Sequence, residues 1–83
     1  MDKILVNVFV PVIEETFEVW LPLNKAIGDV ILLLCKSINE LTGGGYMPSE
    51  MPGLYDKTTA QQLDVYLTVR EAELKNRAEL ILI

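Results

Sequence analysis

The sequence has no histidine and a single cysteine, Cys35, among its 83 residues. Without histidine, the usual general base and the Ser–His and Cys–His nucleophile pairs are unavailable. One cysteine cannot form an intrachain disulfide, which secreted domains of this size often need. We therefore expect a non-enzymatic protein of the reducing cytoplasm, in which Cys35 is a partly buried structural thiol.

Positive charge is also scarce, because seven Lys and Arg residues stand against twelve Asp and Glu residues, for a net charge of −5. Affinity for nucleic acid and for anionic lipid depends on Lys and Arg. The longest unbroken apolar run, residues 30–35, is far shorter than the roughly 20 residues of a membrane span. We therefore expect neither nucleic-acid binding nor direct membrane insertion.

Neither a metal ion nor a cofactor is expected. Glu14, Glu15 and Glu18 form the one acidic cluster, and we interpret them as solvated residues at a turn rather than as a cation site. The glycines at 43–45 follow a predicted helix rather than a strand, and they lack the Lys-Ser/Thr of a phosphate-binding loop.

Hydrophobic periodicity predicts the secondary structure. Alternation over residues 4–10 and 16–21 predicts two strands of a hairpin. Apolar spacings of three and four over residues 27–41 predict a helix of about four turns. The stretches "GLYD" and "QQLDV" predict two short strands, Thr68 and Glu71 predict a capping box, and "AELILI" predicts a final strand. The order β-β-α-β-β-(short helical turn)-β predicts an α+β fold in which one main helix covers one face of a mixed sheet.

This order resembles the ubiquitin-like β-grasp fold over nearly the whole chain, as a single domain of residues 1–83. Within that superfamily, "PLNKAIGDVI", "GGGYMPSE" and "LTVREAELKNRAELILI" look most like the YukD-type small bacterial ubiquitin-like proteins associated with type VII (WXG100, ESX-like) secretion. Members of that family typically carry glycine where this chain has Glu73 and Arg77. Glycine at the second position usually serves a turn with positive φ, which Arg adopts at some cost.

The resemblance implies a non-enzymatic adaptor or regulator of a type VII-like secretion system, cytoplasmic or peripheral at a membrane secretion complex. Its implied partner is a protein, either a component of the secretion machine or a second copy of the chain. The alternative is a generic β-grasp interaction or homodimerisation domain unrelated to secretion. Ubiquitin is conjugated through a flexible tail ending in Gly-Gly, whereas this sequence ends at Ile83 in a predicted strand. We therefore expect neither conjugation nor sulfur transfer.

One face of the predicted sheet packs on the helix, and the other should be polar. Nine residues are assigned to the helix-facing side: Ile4, Val6, Val8, Val10, Phe17, Val19, Leu21, Leu80 and Leu82. The opposite side nevertheless carries five large apolar residues: Leu5, Phe9, Trp20, Ile81 and Ile83. In the expected topology strand one lies between strands two and five, so these five would form a contiguous patch. Such patches mark protein interfaces, and Trp is enriched at their hot spots. The alternative is that the loop at 42–53 covers much of the patch.

The helix and the following loop supply weaker candidates for partner binding. Leu32 and Leu33 project to either side of the core-facing direction, where a covering helix ordinarily carries polar residues. Tyr46 and Met47 lie in the 42–53 loop, and adaptable Met-rich contacts occur at interfaces. The alternatives are that flanking loops cover the two leucines and that the loop packs onto its own domain.

Overall fold

The structure, a computed structural model, describes residues 2–83. Within them the elements are β1 (Lys3–Val10), a 3-10 turn (Pro11–Ile13), β2 (Glu15–Pro22), α1 (Ile27–Leu41), β3 (Leu54–Asp56) and β4 (Glu79–Leu82). The sheet order is β2-β1-β4-β3. β1 and β4 are parallel, and the other two pairs are antiparallel. This is the α+β, ubiquitin-like β-grasp architecture predicted from the sequence, with β1 between β2 and β4.

The first hairpin closes through a four-residue connection between Val10 and Glu15, which face each other in the register. Pro11 begins the 3-10 turn and cannot donate to a ladder. Glu14 then adopts a left-handed conformation, φ 52°, and its N–H donates to the Pro11 carbonyl at 3.1 Å. The connection fixes the register, so every even-numbered residue of β1 faces α1.

α1 begins without a side-chain cap, since Ala26 at the N-cap position makes no capping hydrogen bond. The first N–H groups of a helix have no intrahelical acceptor. Here the N–H of Ile27 donates to the Leu67 carbonyl at 2.7 Å, and that of Gly28 donates to the Val65 carbonyl at 3.0 Å. The loop before Thr68 therefore replaces the missing cap.

The core lies between the sheet and α1. Val6, Val8, Val10 and Leu80 are fully buried. α1 contributes the buried residues Ile27, Val30, Ile31, Leu34 and Ile38. Phe17 and Val19 of β2 face the same way but are only partly buried, because β2 is an edge strand. The helix-facing assignment made from the sequence is therefore correct, and the core is least closed along β2.

The second predicted strand of the later part, "QQLDV", is reduced to one bridge between Tyr55 and Gln62. The side chain of Asp64 explains the short pairing, because its Oδ1 accepts from the N–H of Tyr66 at 2.9 Å and turns the backbone. The predicted capping box is present: the N–H of Thr68 donates to Glu71 Oε1 at 2.9 Å, and the N–H of Glu71 donates to Thr68 Oγ1 at 3.1 Å.

Two non-glycine residues occupy the positions where the resembled family carries glycine, and both have positive φ. Glu73 has φ 58° and Arg77 has φ 73°. The N–H of Arg77 donates to the Leu5 carbonyl at 2.6 Å, and its guanidinium lies 3.7 Å from the Glu18 carboxylate. The expected positive-φ turn at Arg77 is therefore confirmed, and it leads the chain into β4.

Candidate functional site

The outer face of the sheet carries the five apolar residues predicted to bind a partner. Trp20 is 54% exposed and Ile83 is 58% exposed. Phe9 and Ile81 are half-buried and face each other across β1 and β4. Leu5 is 9% exposed, so the prediction that it presents an exposed side chain is wrong.

Leu5 is buried because of its neighbours on both sides. It lies directly opposite Trp20 in the register. On its other side its N–H donates to Asn76 Oδ1 at 2.8 Å, and its carbonyl accepts from Arg77. Since the backbone groups of Leu5 point toward the 76–77 turn, Leu5 and Trp20 form a non-hydrogen-bonded pair, in which side chains approach most closely.

A polar row divides the apolar face in two. Asn7 lies between Leu5 and Phe9 on β1 and pairs with Glu18 of β2 and Glu79 of β4. Two ion pairs adjoin this row, Glu18 with Arg77 across β1 and Glu79 with Lys57, each at 3.7 Å. The prediction of one contiguous patch is therefore wrong. The face has a Trp20–Leu5 end and a separate Phe9–Ile81–Ile83 end.

Tyr46 follows the alternative expected for the 42–53 loop, which is packing onto its own domain, and it is not free to bind a partner. It is 2% exposed, and its hydroxyl lies 3.9 Å from Cys35 Sγ. Asn39 Nδ2 donates to the Tyr46 carbonyl at 2.6 Å and fixes the loop against α1. Burial, with the Cys35 thiol beside the ring, raises the pKa of Tyr46 to about 12. Tyr46 thus packs onto its own domain, whereas Met47 next to it is 81% exposed.

Leu32 and Leu33 are both exposed, at 67% and 50%, and lie on opposite flanks of α1. Leu33 lies on the flank toward β2, where it lines a groove of about 270 Å³ together with Val19, Trp20, Val30 and Leu34. From the sequence, Trp20 and Leu33 are expected on two separate surfaces. The groove brings them together because β2, which carries Trp20, is the strand at the open side of the core.

The Trp20 ring is held at this edge by a cation–π contact, with Lys3 Nζ 5.5 Å from the ring centroid. Within residues 2–83, no group of three His, Cys, Asp or Glu side chains is placed to hold a metal ion. The same residues contain no helix of the length and apolarity that crossing a bilayer requires. Exposed apolar side chains, the groove and the outer edge of β2 are features available for recognition.

Comparison with solved structures identifies domains of the same ubiquitin-like fold. The ubiquitin-like domain of the Mycobacterium tuberculosis type VII secretion protein EccD1 superimposes with a TM-score of 0.78 at 13% identity, over 100% of this chain and 99% of that one. The EccD5 ubiquitin-like domain from Mycobacterium xenopi gives 0.80 at 21% identity, over 100% and 94%. A chain of the MycP5-free ESX-5 inner membrane complex gives 0.81 at 19% identity, over 100% of this chain and 21% of that chain. No protein-family model and no curated protein match the sequence.

Proposed function

We propose that this chain is a non-enzymatic ubiquitin-like adaptor of a type VII-like secretion system. The observation that carries the proposal is the superposition over the whole chain on ubiquitin-like domains of type VII secretion proteins. A third similar chain belongs to an inner membrane complex. The proposal therefore has residues 1–83 act as one cytoplasmic domain of the YukD type, which associates peripherally with a larger membrane-bound component.

The proposed adaptor acts by binding protein rather than by catalysis. Trp20 is the largest exposed apolar side chain on the outer face of the sheet, and Trp residues dominate binding energy at many interfaces. Lys3 Nζ lies 5.5 Å from the centroid of the Trp20 ring, and a side chain that already has such a contact loses less entropy when a partner immobilises it. The Trp20–Leu5 end of the outer face is therefore the proposed centre of contact.

The proposal also has this chain act without being conjugated. Ile83 itself is held against the loop, because its N–H donates to the Gly53 carbonyl at 3.0 Å and its carbonyl accepts from the Gly53 N–H at 2.8 Å. Intact-mass measurement of the protein from its native host tests this part, and a covalent adduct on a second protein would contradict it.

Affinity capture from the native host tests the secretion link, with the wild-type chain and Trp20→Ser as the compared baits. Quantitative mass spectrometry should find a secretion-machine component, such as its ATPase or a membrane subunit, enriched on the wild type and lost from Trp20→Ser. Circular dichroism of Trp20→Ser shows whether the variant remains folded. The proposal fails if no such component is enriched, or if a folded Trp20→Ser retains it fully.

A further inference from the structure

The outer face of α1, which points away from the sheet, is partly apolar. The helix packs on the sheet through its buried residues: Ile27, Val30, Ile31, Leu34 and Ile38. Leu32 and Leu33 are both exposed, and the period of the α-helix sets the exposed residues Asp29 and Lys36 between them. A helix that only covers a sheet carries polar residues on this face. The two leucines therefore form apolar surface that the core does not use.

Charge on this outer face is balanced, unlike the charge of the whole chain. Four charged residues lie on the face or just before it, and all are exposed: Lys25, Asp29, Lys36 and Glu40. They are two cations and two anions, so the face is neutral although the chain carries a net charge of −5. None of the four has a salt bridge within residues 2–83. Their charges are therefore available for pairing with another molecule.

The order of these charges makes the face complementary to itself. Along the chain the signs run positive, negative, positive, negative, and the two leucines stand in the middle. We consider two antiparallel α1 helices related by a two-fold axis that passes between the leucines. Asp29 of each copy then lies opposite Lys36 of the other, and Glu40 lies level with Lys25, because the members of each pair are equidistant from the axis.

From these observations we infer that the outer face of α1 binds the same face of a second copy of this chain, in an antiparallel dimer with two-fold symmetry. The leucines of both copies meet at the axis, and two Asp29–Lys36 ion pairs flank them. A parallel pair is disfavoured, because it sets Asp29 against Asp29 and Lys36 against Lys36. The inference goes beyond the proposed function, since it does not depend on which partner Trp20 contacts.

The size of the contact predicts a weak dimer. α1 has 15 residues and is therefore about 22 Å long. One helix packed against its copy buries less than the roughly 1,200 Å² of standard protein interfaces. The net charge of −5 on each copy also opposes association. We therefore expect a dissociation constant of about 0.1–1 mM.

The dimer leaves the outer face of the sheet free. Trp20 lies on that face, whereas α1 packs on the opposite face of the sheet. Two paired α1 helices therefore place the two sheets on the outer sides of the dimer. Each dimer then presents two Trp20–Leu5 ends, and a larger component with two binding sites would bind it with increased avidity.

Sedimentation equilibrium tests the dimer and its apolar centre. In about 0.15 M NaCl, where charges are screened beyond roughly 8 Å, the apparent mass of the wild type should rise with concentration from 9.3 kDa toward twice that value. Leu32→Ser should raise the dissociation constant at least about tenfold, because symmetry removes two leucines from each dimer. Leu41→Ser is the matched control. Leu41 is 70% exposed, but it lies two turns beyond Leu34 on the side of the helix that faces the sheet, so association should be unchanged.

Charge reversal tests the antiparallel register. Asp29→Lys should weaken the dimer about tenfold, although it makes the chain less negative, because two lysines then lie opposite each other. Lys36→Asp should weaken it similarly by setting two aspartates opposite each other. The double variant Asp29→Lys/Lys36→Asp should associate like the wild type. An equimolar mixture of the two single variants should also dimerise, since each copy then faces the opposite charge. Circular dichroism shows whether each variant is folded.

The inference is overturned if the wild type remains at 9.3 kDa up to about 2 mM, well above the expected dissociation constant. It is also overturned if Leu41→Ser weakens association as much as Leu32→Ser does. A dimer that neither single charge reversal weakens, or that the double variant and the mixture do not restore, forms through another surface and rejects the outer face of α1.

Discussion

Substitution of Arg77 tests whether the backbone is strained in the turn before β4. Its φ of 73° lies in the left-handed region, where the Cβ of an L-residue costs roughly 1–2 kcal/mol. Arg77→Gly removes that cost. It also adds backbone freedom to the unfolded chain, which costs about 0.5–1 kcal/mol, and it removes an exposed ion pair with Glu18, which is worth about 0–1 kcal/mol.

Arg77→Ala is the matched control, because it removes the ion pair and keeps the Cβ. The free energy of unfolding of Arg77→Gly should exceed that of Arg77→Ala by about 0.5–1 kcal/mol. For a chain of this length the difference corresponds to roughly 2–8 °C in melting temperature. Urea and thermal unfolding followed by circular dichroism measure both quantities. If Arg77→Gly is no more stable than Arg77→Ala, the turn before β4 does not carry the strain that we assign to it.

Three further predictions concern stability and pH. Trp20→Ser should unfold cooperatively and lose less stability than Leu80→Ala, for which a fully buried side chain predicts a loss of about 2–5 kcal/mol; a larger loss in Trp20→Ser, measured by urea unfolding, would place Trp20 in the core. Thr68→Ala should cost about 1 kcal/mol through the lost capping box, and an unchanged urea midpoint would count against that role. The raised pKa of Tyr46, about 12, predicts stability that is complete below pH 10 and declines from pH 10 to 12, because the unfolded chain loses the proton first. In Tyr46→Phe this part of the decline should be absent, and an identical pH profile of the two proteins would refute it.

Most of the fold could be predicted from the sequence, because the hydrophobic period of each element agrees with the residues that end it. The alternation in β1 places Val6, Val8 and Val10 toward α1, and all three are fully buried. Glycines just beyond Leu41 end the helix where predicted: Gly43 and Gly44 have φ of 63° and 86°. Alternation of apolar and polar residues does not predict how many residues of a strand pair with the neighbouring strand. "QQLDV" has a strand-like pattern, yet the Asp64 side chain turns the backbone after one bridge.

The candidate site was harder to predict because it depends on neighbours far apart in the chain. The burial of Leu5 requires the 76–77 turn beside it. A turn at Arg77 was expected, but its contact with Leu5, which is 71 residues away from Asn76, has no local signal. Tyr46 is buried through contacts with Asn39 and Cys35, whereas its loop composition left both packing on the domain and partner contact open. The polar row through Asn7 was accessible in principle. The hairpin register sets Asn7 opposite Glu18, and the sequence places Glu79 two residues before Ile81.

The polar row has a consequence for how a partner can engage the sheet. A ligand that spans the whole outer face must cover Asn7 and the two ion pairs of Glu18 and Glu79, and desolvating charged groups offsets much of the energy gained from apolar contact. A ligand confined to the edge of β2 meets only Glu18 of that row, together with the exposed Trp20 on one face and the groove on the other. Trp20 therefore contributes to both surfaces, whereas Leu33 contributes only to the groove. For this reason loss of binding in Trp20→Ser alone points to the outer face, and loss in both Trp20→Ser and Leu33→Ser points to the groove.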